Sequence, residues 1–368
     1  MKTKMIDKYN IDSHKLIFHP TRVAKWYESG EDWLKLKKIY PIYVEISPYG
    51  GCNHRCTFCA LDYMGYENIG LEFNTLKNSL TNMAEKGVKS VMFAGEGEPL
   101  LFKGLDLIVE HCSQVGIDTS LTTNFVPLNK KNIERCMENC SWIKVSLNAG
   151  TAKTYANIHQ TKEKDFERVM DNLKYALEYK RKNNLKCTVG IQTLLLPENK
   201  DEIELLAQQC KDIGVDYLVV KPYSQHLFSE TDKYANIDYS KMMHLGEDLK
   251  KFNDDNFHIV FRANTMQKYV EKQQPYDKCH STPFFWGYIA ADGKVFGCSA
   301  YLGEDRFCYG NIYDNSFEEI WESNERKKSY EYVKNELDIK NCRVNCRMDE
   351  VNRYLFRLKN PNSHDNFI

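Results

Sequence analysis

Tyr43-Val44-Glu45-Ile46-Ser47-Pro48-Tyr49-Gly50-Gly51-Cys52-Asn53-His54-Arg55-Cys56-Thr57-Phe58-Cys59 runs from a β-branched segment into a loop that spaces three cysteines as C-x3-C-x2-C. YVEIS has the composition of a strand, and Pro48 with Gly50-Gly51 ends it and lets backbone wrap closely around a ligand. On a helix, positions 52, 56 and 59 would share one face and the cysteines could simply be core. The proline and the paired glycines argue instead for a loop at the C-terminal end of a strand. Three thiolates with His54 could form a zinc site, but structural zinc favours paired C-x2-C knuckles, and a His two residues after Cys52 is awkwardly placed. Three cysteines with no evident fourth suit an iron–sulfur cube, in which one iron lacks a protein ligand and is open to a substrate.

Working outward, five more apolar or β-branched runs follow: SVMFAG (90–95), TSLTTN (119–124), WIKVSL (142–147), TVGIQTLLL (188–196) and YLVVKPY (217–223). Between them lie amphipathic stretches such as LKNSLTNMAEKG, LDLIVEHCSQVG, FERVMDNLKYALEYKRK and EIELLAQQCKDIG, some closed by Gly, a common helix stop. Repeated βα units build a parallel sheet, closed as a barrel or open and doubly wound, and both put functional residues at the C-terminal ends of strands. Beyond Tyr223 the pattern changes to a loop, a helix over MMHLGEDLKKF and a strand at HIVFRA. Two apolar runs flanking Ala291-Asp292-Gly293 read as a hairpin, and FEEIWESNERKKSYEYVKNEL reads as one amphipathic helix.

The 368 residues allow two domains or one with an appendage, and 42% hydrophobic with 27% charged residues is ordinary globular usage. A net charge of −1 gives no global attraction to nucleic acid, which is not expected as a partner. No run approaches the length of a membrane span, and Met1 to Asn10 lacks the apolar centre of a signal peptide, so a cytoplasmic chain with no membrane contact is expected. Thirteen cysteines in a reducing compartment read as ligands or core rather than disulfides.

The cysteine loop, with an aromatic residue, Phe58, just before its last Cys, resembles that of the radical S-adenosylmethionine (SAM) enzymes. Gly95-Glu96-Gly97-Glu98-Pro99, ending the second run, is similar to that family's Gly-Gly-Glu-Pro motif with Glu96 in place of a Gly. The resemblance implies a partial (β/α)6 TIM-like barrel in which Cys52, Cys56 and Cys59 hold a 4Fe-4S cluster. The open iron would chelate SAM, one electron would cleave it to methionine and a 5′-deoxyadenosyl radical, and that radical would take hydrogen from a substrate. By the same resemblance Glu98 would meet the methionine ammonium, and Thr123, Asn124 and Ser146 would face the ribose and carboxylate. Gln192 and Lys221 point to the same mouth as further cofactor contacts. Family members often place an Arg after the fourth strand; the matching position is Ile158, with His159, Gln160 and Lys162 as neighbouring candidates.

Farther on, Cys279, Gly293 and Cys298 give C-x13-G-x4-C across the predicted hairpin. This resembles the opening of the SPASM and twitch domains appended to radical SAM enzymes, as do Tyr309-Gly310-Asn311-Ile312 and Ile320-Trp321. A full SPASM domain carries two auxiliary clusters and needs seven cysteines; five are present here, so one auxiliary 4Fe-4S cluster on Cys279, Cys298, Cys342 and Cys346 is expected, with Cys308 left over. Four thiolates would suit zinc as well. Cys136-x3-Cys140 reads as part of a helix, and Cys112, Cys187 and Cys210 as core.

The expected organisation is therefore α/β: an extension over 1–40, the barrel over 41–240, a connecting segment over 241–275, a small α+β SPASM/twitch-like iron–sulfur module over 276–350 and a tail over 351–368. The expected partners are a small-molecule substrate, for instance a sugar, cyclitol or nucleotide-linked metabolite, and an external one-electron reductant such as flavodoxin or ferredoxin. About 40 residues before the first strand are too few for an extra peptide-binding domain, so modification of a peptide or protein is the alternative. A redox protein without SAM chemistry is the alternative of another class.

Overall fold

A computed structural model describes residues 9, 11, 13–271 and 274–367, so most of Met1–Asn10 lies outside the described residues. Ten strands form one sheet: β1 (Tyr43–Ile46), β2 (Ser90–Phe93), β3 (Asp118–Thr123), β4 (Cys140–Ser146), β5 (Thr188–Leu195), β6 (Tyr217–Pro222), β7 (His258–Phe261), β8 (Trp286–Ile289), β9 (Lys294–Phe296) and β10 (Cys308–Asn311). Their order is β10-β9-β8-β1-β2-β3-β4-β5-β6-β7, with β1 to β7 parallel in sequence and β8 parallel to β1. The six expected strands are all present. The segment read as a connector supplies a seventh, and the first strand of the appended module continues the barrel sheet.

Side chains alternate across a strand, and the two phases differ in chemistry. Val44, Ile46, Val91, Phe93, Leu121, Ile143, Val145, Val189, Ile191, Leu218 and Val220 all belong to the main core, which they share with the helices outside the sheet. The helix Phe73–Glu85 shows why these segments fold as they do. Glu72 caps its start by accepting from the Thr75 N–H, while Leu76, Leu80 and Met83 recur at helical spacing and are fully buried. Burying each contributes about 2 kcal/mol. The other phase carries Glu45, Thr122, Lys144, Ser146, Gln192 and Lys221, and it lines the barrel lumen. No described helix is long and apolar enough to cross a membrane.

Three local expectations are corrected. FEEIWESNERKKSYEYVKNEL divides into helices Phe317–Trp321 and Asn324–Asn335, because the Ser323 side chain accepts from the Arg326 N–H and starts a new helix. MMHLGEDLKKF forms short 3-10 and α turns (Tyr239–Met242, Leu245–Asp248, Leu249–Phe252) rather than one helix. Cys136 lies in the helix Lys130–Asn139, but Cys140 opens β4, so the pair does not share a helix face. A second core joins helix Pro20–Ser29 (Val23, Trp26) and Leu36, ahead of β1, to Phe284, Phe285, Phe307, Val333 and Leu355 of the C-terminal region.

Candidate active site

The cysteine loop follows β1 and lies at the C-terminal end of the parallel sheet. It is held on both flanks. The Gly50 N–H donates to the Ile69 carbonyl at 2.9 Å, and the Thr57 N–H donates to the Ile158 carbonyl at 2.9 Å at the end of helix Ala152–His159. The Glu98 N–H donates to the Gly51 carbonyl at 3.0 Å, tying the second loop to the first. Only a glycine fits at 97: a Cβ there would sit 2.2 Å from the Gly51 oxygen and 2.5 Å from that of Tyr49. Cys52, Cys56 and Cys59 are unpaired thiols with part of their surface accessible, each pushed up by burial, Cys52 to about 11 and Cys56 well above the usual thiol value. The charges of Cys59 and Cys52 would each raise Cys56 further.

Glu98 is 2% exposed, and burial pushes its carboxyl up to about 7. It accepts from the Thr123 hydroxyl, from the Asn124 N–H at 2.7 Å and from the Leu100 N–H at 3.0 Å. Asn124 in turn donates to Asn53 at 2.8 Å, so Glu98, Thr123, Asn124 and the cysteine loop form one connected set. Ser146 and Gln192 are register partners on β4 and β5, beside this set and half-buried. Phe58 packs edge-on to His159 at 5.5 Å. Glu96 leaves the group. Its carboxylate accepts from the Tyr288 hydroxyl at 3.2 Å and the Ala291 N–H at 3.3 Å, in the β8–β9 hairpin.

Among the candidates around Ile158 the structure singles out His159. It is fully buried, and burial pushes its imidazolium pKa well down, so the ring is neutral. Asn148 Oδ1 accepts from the Leu194 N–H at 2.6 Å, which turns its Nδ2 toward His159 Nε2, 3.2 Å away. With Nε2 accepting, Nδ1 carries the proton and donates to Cys56 Sγ at 3.3 Å. Asn148, Glu45, Lys144, Arg343 and Arg347 escaped the sequence reading. Glu45 and Lys144 carry a recoverable signal: charges inside β1 and β4, at the phase opposite the apolar one.

The second set of thiols comes from the residues before β8, the end of the hairpin and the turn before helix Asp349–Lys359. Cys279, Cys298, Cys342 and Cys346 line one cavity, and Asn352 Nδ2 donates to Cys279 Sγ at 3.4 Å. Cys308 stands apart, its thiol turned to the Gly310 carbonyl at 3.8 Å. A tetrahedral zinc with about 2.3 Å bonds draws its sulfurs to about 3.8 Å from one another. Among the described residues the trio His54, Cys56 and His159 gathers within 4.8 Å, whereas no three of the four C-terminal thiols do, nor do Cys52, Cys56 and Cys59. Both thiol sets offer all-thiolate donors, which fit an iron–sulfur cluster.

A parallel partial barrel with a thiol loop at its mouth defines a class, and comparison with known families agrees. The Radical SAM superfamily model matches residues 46–210, and an iron–sulfur cluster-binding domain, SPASM, matches residues 253–347. The chain belongs to the radical SAM enzymes with a C-terminal SPASM domain, whose cofactors are SAM and 4Fe-4S clusters. Among individual relatives it is 26% identical over 203 residues to GTPase Obg of Brachyspira hyodysenteriae, covering 52% of this chain and 28% of that protein. It is 25% identical over 239 residues to GTP 3′,8-cyclase of Clostridium perfringens, covering 62% of this chain and 68% of the relative. SuiB of Streptococcus suis, solved with its precursor peptide SuiA, shares the fold at 20% identity and a TM-score of 0.63, over 84% of this chain and 69% of SuiB.

Proposed function

We propose that Cys52, Cys56 and Cys59 hold the SAM-binding cluster, that Cys279, Cys298, Cys342 and Cys346 hold one auxiliary cluster, and that the substrate is a small molecule in the barrel lumen. When bound, cluster and SAM supply a one-electron cleavage whose carbon radical removes hydrogen from substrate. The observation that carries this reading is the connected set Cys loop–Glu98–Thr123–Asn124 at the carboxyl ends of β1 to β3.

The chain's own residues position and exclude water. Glu98 fixes the backbone of Asn124 and Leu100, and a methionine ammonium beside it would draw its carboxyl to the ionised form. Ser146 and Gln192 present polar groups from adjacent strands, and Phe58 anchors the loop by packing against the apolar cluster that includes Ile158 and Leu194. His159 donates to Cys56 and would stabilise negative charge on that sulfur. The cyclase relative's name describes a nucleotide substrate and the SuiB complex a peptide. The charged lumen described below supports the small molecule. An external one-electron reductant completes the reading.

The test is anaerobic reconstitution with iron and sulfide, followed by SAM and reductant. About eight irons per chain and 5′-deoxyadenosine that disappears in Cys56→Ala are expected. A fully loaded protein that neither binds SAM nor forms 5′-deoxyadenosine would overturn the assignment.

A further inference from the structure

Among the described residues, the lumen below the cysteine loop carries more cations than carboxylates. Lys144 on β4 and Lys221 on β6 stand at the inward phase of their strands and are half-buried there. The segment from Cys342 to Arg347 brings in two guanidinium groups, Arg343 between the two cysteines and Arg347 just after the second. Arg347 pairs with Glu45 at 2.8 Å and keeps 39% of its side-chain surface accessible. The charges that bear most on Lys221 are Lys144, Arg262, Arg347 and Arg343, all cations. Glu45 is the one carboxylate among the groups that bear most on Lys144. Arg343 Nε and Trp286 Nε1 are also buried donors without an acceptor among the described residues.

Like charges held together away from bulk water destabilise a fold unless something of opposite sign joins them. Burial and neighbouring cations together push Lys144 down to about 8 and Lys221 well below its ordinary value. These lysines and Glu45 sit on the inner faces of β1, β4 and β6, where the proposed substrate would lie. Two lysines act as point charges and two arginines as planar forks, a combination that matches the oxygens of a multiply charged oxyanion.

We infer that the lumen binds the anionic end of the substrate, a phosphate- or polycarboxylate-type oxyanion, through Lys144, Lys221, Arg343 and Arg347. The inference rests on the small-molecule reading above and names its substrate class. It moves Lys221 from the cofactor to the substrate. It also gives the auxiliary-cluster loop a second task, since Arg343 and Arg347 flank Cys342 and Cys346 in sequence and reach the same lumen.

The test uses the reconstituted holoenzyme and two probes, inorganic pyrophosphate and citrate, with binding followed by calorimetry at about 50 and about 300 mM salt. We expect at least one probe to bind below millimolar, more weakly at the higher salt, and Lys144→Met to weaken it by tenfold or more. Preference for pyrophosphate assigns a phosphorylated substrate, and preference for citrate a polycarboxylate. Lys144→Met should also raise the melting temperature of the ligand-free protein, because it removes a like-charge contact; a lysine with a purely structural role would lower it. Failure of both probes to bind wild-type protein at about 5 mM, or equal binding by Lys144→Met, would overturn the inference. Iron content and SAM binding, measured on the same samples, keep its failure distinct from failure of the functional reading: oxyanion binding by a protein that ignores SAM would spare this site and sink that reading.

Discussion

At the scale of single residues, two buried groups carry opposite messages about how a sequence motif should be read. Glu96 departs from the family motif, and the structure gives the departure a purpose: its carboxylate reaches across to Tyr288 and Ala291 and joins the barrel to the hairpin. Burial raises its pKa to about 7, against the usual value near 4.5. Between those two values the folded state holds a proton that the unfolded state has released, so this group's contribution is complete below the unfolded value and is lost as pH rises through about 7. Wild-type protein should therefore lose up to about 3 kcal/mol between pH 5 and 8 that Glu96→Gln does not lose. Urea titrations of both proteins at the two pH values measure the difference; parallel curves would show that the carboxyl titrates normally. His159 is a positioning residue of the other kind, since its tautomer is dictated from Asn148 and its proton points at Cys56. Removing that donor in His159→Leu should lower the midpoint potential of the SAM-binding cluster by roughly 40 mV, one hydrogen bond's worth for a one-electron couple. A redox titration followed by electron paramagnetic resonance reads this, and an unchanged potential would leave His159 as packing alone.

At the scale of elements, what the sequence shows and hides follows from which interactions are local. Six parallel strands were legible because each is a short β-branched run between amphipathic stretches, and the hairpin because Gly293 supplies the left-handed turn, φ +87°. The pairing of β8 with β1 was not, since two segments about 240 residues apart carry no local mark of their register. The break at Ser323 was hidden because apolar periodicity runs on across it, whereas the cap that decides it is a single side-chain hydrogen bond. In the candidate site the cysteines and Glu98 were legible from spacing and motif. Glu96 and Asn148 were not, because their meaning lies in long-range partners. Gly97 belongs to this scale as well, because it lets the loops after β1 and β2 touch. A methyl group there cannot be accommodated without moving the backbone of Gly51, next to Cys52. Gly97→Ala should cost about 1–3 kcal/mol of stability and lower the iron bound at the first site while leaving the second loaded. Iron per chain, measured on Gly97→Ala with and without Cys279→Ala, separates the two sites; full occupancy of the first would show that the loop tolerates the shift.

At the scale of the whole molecule, the chain closes on itself instead of dividing after the barrel. β8 is hydrogen-bonded along β1, so the C-terminal region covers what would otherwise be an open edge of the parallel sheet. The approach to β1 is clamped from the same side. Arg326, fully buried, donates to the carbonyls of Pro283, Lys37, Ile39 and Trp321, while Trp321 Nε1 donates to Ile39 at 2.8 Å. Residues 37–39 precede the first strand and residues 283–326 belong to the C-terminal region, so neither half has a finished core or a finished edge without the other. The segment that delivers Arg343 and Arg347 is tied to the same first strand, because Arg347 pairs with Glu45 of β1 at 2.8 Å. Calorimetry of the metal-free full-length protein should show one cooperative transition, its calorimetric and van't Hoff enthalpies equal. A chain ending at Pro275 should expose β1 and the apolar faces of Trp26 and Leu36, and should aggregate rather than melt cooperatively. Two separate transitions in the intact protein, or a soluble fragment that still melts sharply, would mean that the barrel is complete without its partner and that the shared sheet is only a docking contact.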